Sequence, residues 1–196
     1  DSPMSRGLGD VYKRQIIERD KKLDALTAEV SSSVFELIAL WSPIAYDLRS
    51  LLVADRVGAI LERVGDYSKN IARRSQVIVS EENFDRLPVN IIGLGQHVQD
   101  LLHKSLDAYM ELNIEKAMNI WESDIDTDRL YLSIFKEIVS YMSDNPDDAK
   151  MLTHMIFISK NLERVGDYTT SIAKQTYFLS EGEYPDTKRP KAMTTY

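Results

Sequence analysis

The sequence predicts an all-α protein built as two tandem antiparallel three-helix bundles, the first lacking its first helix. Three observations predict this. Glycine and proline are scarce, 8 and 6 in 196 residues, where a β protein of this length needs many turns. Apolar residues recur at steps of three and four over long segments. One seven-residue string, LERVGDY, occurs twice, at 61–67 and at 162–168.

Residues 1–15, DSPMSRGLGDVYKRQ, hold two glycines, a proline and no apolar period. They resemble translated sequencing-adapter text, with a disordered native tail as the alternative, and are set outside the fold. From Ile16 to Trp41 a first helix is expected: Ile16, Leu23, Val30 and Leu37 lie seven apart, with Val34 and Trp41 between turns. Ser42-Pro43 should end it and start the next, with Ser42 as N-cap and Pro43 at the first helical position. The second helix runs to about Ile78 on the stripe Val53, Val57, Ile60, Val64, Tyr67, Ile71. Residues 79–88, VSEENFDRLP, are polar and end in Pro88, so the first half is read as 16–80, a linker as 81–88 and the second half as 89–182. That second half holds a third helix (about 89–112) and a fourth (about 114–142) with the stripe Ala117, Trp121, Tyr131, Phe135, Ile138, Met142. After the break SDNP, where Asn145 or Asp144 caps and Pro146 takes the first turn, a fifth helix runs to about Phe178. Residues 183–196 read as a frayed tail.

The repeat extends beyond the seven identical residues. Ile71-Ala72 matches Ile172-Ala173, and Asp47-x-Arg49 falls where Asp148-x-Lys150 falls. An offset of 101 residues is too long for a solenoid and indicates a duplicated subdomain. Upstream, Asp20 and Asp24 (DKKLD) correspond to Asp124 and Asp128 (DIDTD). Each half thus carries a helix with DxxxD, a turn, and a helix with ExxxD. The second half has a further helix, 89–112, before its DxxxD helix, whereas the first half has only the odd segment at 1–15.

Composition narrows the function. The net charge of −7 and pI near 5.0 oppose nucleic-acid binding, which needs a basic footprint. There is no cysteine, hence no disulfide and no thiolate metal site. No apolar run approaches the roughly 18 residues of a membrane span, and no signal peptide is visible. A cytoplasmic setting fits.

The acidic residues carry the chemistry. Side chains at i and i+4 are helical neighbours, so Glu62 and Asp66 project side by side, as do Glu163 and Asp167, with Asn70 and Ser171 one turn on. Asp20/Asp24 and Asp124/Asp128 form matching doublets on the partner helices. Asp24 lies about 18 residues before the turn at Ser42 and Glu62 about 20 after it, which at a rise of about 1.5 Å per residue leaves the doublets within about 3 Å of the same height. Asp128 and Glu163 are likewise about 17 and 18 residues from Asn145. Four carboxylates gathered this way repel one another unless a cation intervenes. Oxygen ligands suit Fe³⁺, Mg²⁺, Mn²⁺ or Ca²⁺, and carboxylates also bind Zn²⁺. The competing reading is a solvated acidic face paired with Arg63, Lys69 and Arg73; duplication with both doublets favours metal. Gly65 and Gly166, costly in mid-helix, suggest close approach of a helix or a ligand group. The histidines add little: His154 lies half a turn from Glu163, Asp100-x-x-His103 stands alone, and no Glu-x-x-His of the di-iron bundles occurs. No phosphate-cradling loop or nucleophile–base pair is visible.

LERVGDYSKNIAR, NLERVGDYTTSIAK and the stretch SPIAYDLRSLLVADRVGAILERVGD resemble the signature of PhoU-type proteins, over about residues 16–182. The resemblance implies metal clusters held by E(D)xxxD motifs on a PhoU-like pair of bundles. Carried over by position, the ligands are Asp20, Asp24, Glu62 and Asp66 in one half and Asp124, Asp128, Glu163 and Asp167 in the other, with Asn70 and Ser171 as weaker candidates. Iron or zinc clusters are expected, with magnesium or manganese as further candidates. The implied role is regulatory, not enzymatic. Such proteins couple a phosphate-specific ABC transporter, through its ATPase, to a sensor histidine kinase, and repress the phosphate-starvation response. They are cytoplasmic homo-oligomers, here taken as a homodimer, peripheral to the inner face of the membrane. The alternatives are a PhoU-like regulator of another ion transporter and a carboxylate-bridged metalloenzyme such as an iron oxidase.

Overall fold

The computed structural model describes residues 3–80 and 89–186, with side chains described from residue 15 onward except at Ile17. Five α-helices form it: α1 Pro3–Trp41, α2 Ala45–Val79, α3 Ile91–Met110, α4 Ile114–Asp144 and α5 Ala149–Glu181. A single 3-10 turn, Pro146–Asp148, precedes α5, and no strand occurs among the described residues.

The helix boundaries follow local chemistry. Asn90 Oδ1 accepts from the Gly93 N–H at 2.9 Å, and Asn113 Oδ1 from the Lys116 N–H at 2.9 Å, capping α3 and α4. The α1–α2 turn differs from the sequence expectation. Ser42 does not cap α2, which starts after Ile44 with no side-chain cap. Instead Ser42 closes α1 in the left-handed region (φ 44°), its N–H bonded to Ile38 O at 3.1 Å. The residue before a proline is kept out of the α region, so Pro43 ends α1 at Trp41, as expected, and α2 begins two residues later than the sequence suggests, at Ala45.

The backbone from Pro3 also departs from expectation. α1 runs unbroken through residues 3–15, read from sequence as irregular. Extending a formed helix adds a hydrogen bond per residue with no new nucleation cost, and a proline at the first helical position forfeits no intrahelical bond. The packing of side chains 1–14, the linker 81–88 and residues 187–196 lie outside the described residues.

The helices assemble as two bundles joined through α2 and α5. α3, α4 and α5 pack on one another, whereas α1 packs on α2 and on no other described helix. α2 and α5 run antiparallel: Arg49 near the start of α2 donates from Nε to Leu179 O near the end of α5 at 3.0 Å, and Arg74 near the end of α2 lies over the Phe157 ring near the start of α5. The two copies of LERVGDY meet at the middle of this seam. Val64 and Val165 share one core cluster with Leu94, Ile138, Leu152 and Met155, and the rings of Tyr67 and Tyr168 stand 5.9 Å apart. Equivalent residues meeting one another is the signature of an isologous, two-fold contact. The halves are therefore related by a local two-fold axis through the repeated string.

The α2 and α4 stripes read from sequence are buried or half-buried as expected. Among the described side chains of α1 only the row Asp20, Thr27, Val34 is buried. Val30, Leu37 and Trp41, also read as core, are exposed, Trp41 by 74%. α4 is covered from both sides by α3 and α5; α1 has only α2, and that face of the first half is uncovered by any described helix.

Candidate metal centre

In the first half the repeat glycine sets the spacing. A Cβ added at Gly65 would lie 2.8 Å from Leu23 Cδ2 and 3.4 Å from Asp20 Oδ1, so α1 and α2 approach closely here, and a side chain would have to displace the tip of Leu23. With Leu23 opposite Gly65, Asp20 is level with Asp66 and Asp24, one turn on, with Glu62. Asp20 is only 7% exposed. Its Oδ2 accepts from Lys69 Nζ at 2.5 Å, and the same ammonium is 2.9 Å from Asp66 Oδ1. These bonds, to Asp20 foremost and then Asp66, hold the Lys69 ammonium above the usual lysine range. Asp20 Oδ1 is buried with no hydrogen-bond partner, which is costly for a carboxylate oxygen. Glu62 is half-buried; Asp24 and Asn70 are exposed at the rim.

The second half repeats the arrangement. A Cβ on Gly166 would lie 2.8 Å from Thr127 Cγ2, and Thr127 is the repeat counterpart of Leu23. Asp124 is thus level with Asp167, and Asp128 with Glu163. Asp124 is 1% exposed, pointing between helices as its place in the Trp121–Tyr131 row requires. Glu163 is 12% exposed. Burial, more than the charge of Asp167, raises its carboxyl above the usual glutamate range, against the opposing pull of Lys160 and Arg164. Lys160 Nζ lies 2.8 Å from Glu163 Oε2, an ion pair off the direction of a well-formed hydrogen bond. Arg164 reaches Asp167 at 3.3 Å. Ser171 turns its hydroxyl to the Asp167 carbonyl at 3.0 Å.

The structure therefore brings each DxxxD doublet level with its ExxxD doublet across adjacent antiparallel helices. It does not close them: among the described residues no three Asp, Glu or His side chains converge as ligands of one ion. The salt-bridge alternative is realised at Lys69. Asp100 pairs with Lys104 at 2.7 Å, so its DxxH spacing to His103 serves no visible site. Sequence reasoning missed His97, whose Nε2 lies 3.2 Å from Thr127 Oγ1; nothing in the α3 pattern says which α4 residue it meets. It also missed Lys160 and Arg164, although their i, i+3 spacing to Glu163 and Asp167 was visible. The tail, read as frayed, is anchored as far as Tyr184. Tyr184 stacks on Phe178 at 4.5 Å and accepts a hydrogen bond from Arg56.

Fold and site together define a duplicated helical-bundle protein with one groove of oxygen donors per half. The family model named PhoU domain matches residues 9–75 and 91–176. A protein of Caulobacter vibrioides named phosphate-specific transport system accessory protein PhoU homolog is 37% identical over 90% of this chain and 76% of its own length. A namesake from Clostridium acetobutylicum is 36% identical over 87% of this chain and 78% of its own. The chain belongs to the PhoU family. The crystal structure of PhoU from Pseudomonas aeruginosa superposes with a TM-score of 0.83 at 27% identity, covering 87% of this chain and 82% of the other. The phosphate transport system regulatory protein PhoU from Streptococcus pneumoniae gives 0.82 at 26% identity, covering 94% and 86%.

Proposed function

We propose that this chain is a metal-binding regulator of phosphate uptake, coupling a phosphate-specific ABC transporter, through its ATPase, to a sensor histidine kinase as a negative regulator of the starvation response. The observation that carries the regulatory part is its similarity, over nearly the whole chain, to proteins named as accessories of phosphate-specific transport. In this reading it acts at the cytoplasmic face of the membrane as a homo-oligomer. No described helix is long and apolar enough to cross a membrane, which agrees with a peripheral role.

The metal part is supported by the donor set. Asp20, Asp24, Glu62 and Asp66 would hold one group of ions, with Asn70 at its edge, and Asp124, Asp128, Glu163 and Asp167 the other. All offer oxygen, and a buried carboxylate oxygen without a partner, as at Asp20, is what a hard cation relieves. Iron or zinc is the leading candidate, then magnesium or manganese. In this reading the ions supply charge neutralisation between helices and the chain catalyses nothing.

Three measurements test the proposal. Elemental analysis of purified protein should find bound metal, and Glu163→Gln with Asp167→Asn should remove about half of it if the sites are independent; unchanged content would reduce these residues to a solvated face. Under phosphate-replete conditions the chain should retain a phosphate-transporter ATPase or a sensor kinase in a pulldown. Failure with both moves the role to another ion transporter. Iron-dependent oxygen consumption above a protein-free control would instead mark a metalloenzyme.

A further inference from the structure

We propose that the seam between α2 and α5 carries a docking stripe for an acidic helix of a partner protein, read by the row Arg49, Arg56, Arg63 and Arg74 with Lys174 beside it. This rests on the reading above of a chain that works through protein partners, and assigns a surface to that contact.

The four arginines are separated by steps of seven, seven and eleven residues. At about 100° per residue they fall within about 40° of one another on α2, over a length of roughly 37 Å. Each lies beside an aromatic side chain. Arg49 is 5.7 Å from the Tyr46 ring and 6.0 Å from the Phe178 ring. Arg56 donates to the Tyr184 hydroxyl, and Lys174 Nζ lies 4.7 Å from the same ring. Arg63 is near Tyr168, whose hydroxyl is raised above its ordinary range by burial, with Tyr67 nearby, against the charges of Arg63 and Arg164. Arg74 lies 4.1 Å over the Phe157 ring.

None of the ion pairs among the described residues involves Arg49, Arg56, Arg63, Arg74 or Lys174, although the chain holds 31 Asp and Glu against 24 Lys and Arg. Aromatic faces hold these cations instead. A guanidinium lying on a ring keeps its N–H edge free, and being positioned beforehand it loses little freedom when a carboxylate arrives. Two such N–H groups match the two oxygens of a carboxylate. The seven-residue steps set the charges about 10.5 Å apart, which is the spacing of carboxylates at i and i+7 on another helix.

The surroundings favour a narrow occupant. Asp66 lies about 60° farther round α2 than Arg63 and is held by Lys69 at 2.9 Å. Across the seam Asp167 is held by Arg164 at 3.3 Å and Glu163 by Lys160 at 2.8 Å. A flat anionic bilayer laid on the stripe would also cover these carboxylates, whereas a single helix, about 10 Å across, fits along the seam between them. A nucleic-acid strand carries a phosphate about every 3.4 Å, far denser than the arginines, and the net charge of −7 opposes it.

The test uses the full-length chain and a fluorescein-labelled, alanine-rich helical peptide of about four heptads with Glu at positions i and i+4 of each. A second peptide of the same composition has its Glu residues scattered round the helix. Fluorescence anisotropy at about 0.1 M salt, where charges beyond about 10 Å are screened, reads the affinity. The striped peptide should bind at least about fivefold more tightly than the scattered one. Arg56→Ser/Arg63→Ser should weaken it by about fivefold or more. Lys104→Gln/Arg129→Gln removes two exposed cations from α3 and α4 and should weaken it by less than about twofold. Equal binding of the two peptides overturns the proposal, as does a loss in Arg56→Ser/Arg63→Ser no larger than in that control. Phosphatidylglycerol vesicles and an oligothymidylate are run alongside. If either binds through Arg56 and Arg63 while the striped peptide does not, the stripe has another occupant and the proposal is overturned. A dimer that Arg56→Ser/Arg63→Ser dissociates has the same consequence. In the pulldown described above, Arg56→Ser/Arg63→Ser should lose the retained ATPase or kinase. Retention unchanged by it overturns the stripe and leaves the regulatory reading intact. Retention of neither partner by the wild type overturns the regulatory reading, a result separate from the peptide measurement.

Discussion

Replacing Gly166 with alanine sets two effects of known sign against each other. Glycine in a helix interior costs about 1 kcal/mol relative to alanine, so propensity alone makes Gly166→Ala stabilising. The added Cβ, however, would lie 2.8 Å from Thr127 Cγ2. Thr127 is fully buried, its β-branched side chain has few rotamers, and its hydroxyl is 3.2 Å from His97 Nε2, so it gives way poorly. Overpacking a rigid site costs about 1–3 kcal/mol, which exceeds the propensity gain. We expect net destabilisation of about 1 kcal/mol or more, a fall in Tm of roughly 2–4 °C for a chain of this size. Gly95→Ala is the matched control, because its Cβ meets nothing nearer than Leu162 Cδ1 at 3.9 Å; it should stabilise by about 0.5–1 kcal/mol. Thr127→Ser removes the obstructing methyl group and keeps the hydroxyl, so in the Gly166→Ala background it should recover most of the loss. Urea denaturation of the four proteins reads all of this. If Gly166→Ala stabilises as much as Gly95→Ala, the close approach of α4 and α5 is not what requires glycine.

Three further outcomes are expected. Arg49→Ala loses the bond to Leu179 O and the contacts with the Tyr46 and Phe178 rings, and should cost about 1–2 kcal/mol in thermal melts; Gly182→Ala, at φ 83° and against the Arg49 guanidinium, should cost about 1 kcal/mol but less in the Arg49→Ala background, and strict additivity would contradict the contact. Leu152→Ala should cost about 2–5 kcal/mol because Leu152 is fully buried in the shared core, against about 0.5 kcal/mol or less for exposed Trp41→Ala; similar midpoints would contradict the uncovered face of α1. Burial, with Tyr46 nearby, raises the Tyr109 hydroxyl above its ordinary value, so the folded state keeps that proton longer than the unfolded chain, and stability falls as pH rises above about 10; Tyr109→Phe should shallow that alkaline fall, and an unchanged slope would show that Tyr109 does not contribute to it.

Much of this molecule was legible because its signals are periodic. Helix count, the turn near residue 43 and the break at Asn145–Pro146 follow from apolar spacing and proline, and the level doublets follow from counting residues to each turn. What escaped depends on which helix lies beside which. Spacing marks Val30 and Leu37 as apolar but does not say that α1 has one neighbour, so they were assigned to a core that the described helices do not supply. Lys69 appeared only as one of three basic residues near an acidic pair. Its selection over Arg63 and Arg73 depends on facing α1, where Asp20 is buried. The Arg49 clasp on Leu179 joins residues 130 apart, and no local pattern encodes it.

The identity of the two LERVGDY strings has a physical explanation in the positions their residues take. Val64 and Tyr67 face the other half and meet Val165 and Tyr168 there. Gly65 and Gly166 face the partner helix of their own half, where a methyl group would press on Leu23 and Thr127. Glu62 and Asp66, like Glu163 and Asp167, stand at the edge between those two interfaces. A substitution that changes the seam therefore also shifts the groove, because adjacent residues on one rigid helix serve both. The arginines are the exception: Arg63 and Arg164 are exposed in both copies, and packing does not require them. Past the string, at Ser68/Thr169, Lys69/Thr170 and Asn70/Ser171, the copies differ, and identity resumes at Ile71-Ala72 and Ile172-Ala173. In the first copy residues 68–70 are exposed or half-buried, whereas in the second Thr169 and Thr170 are buried with their hydroxyls turned to the Gly166 and Asp167 carbonyls, so the copies diverge where the second half closes over positions that the first leaves nearer to solvent.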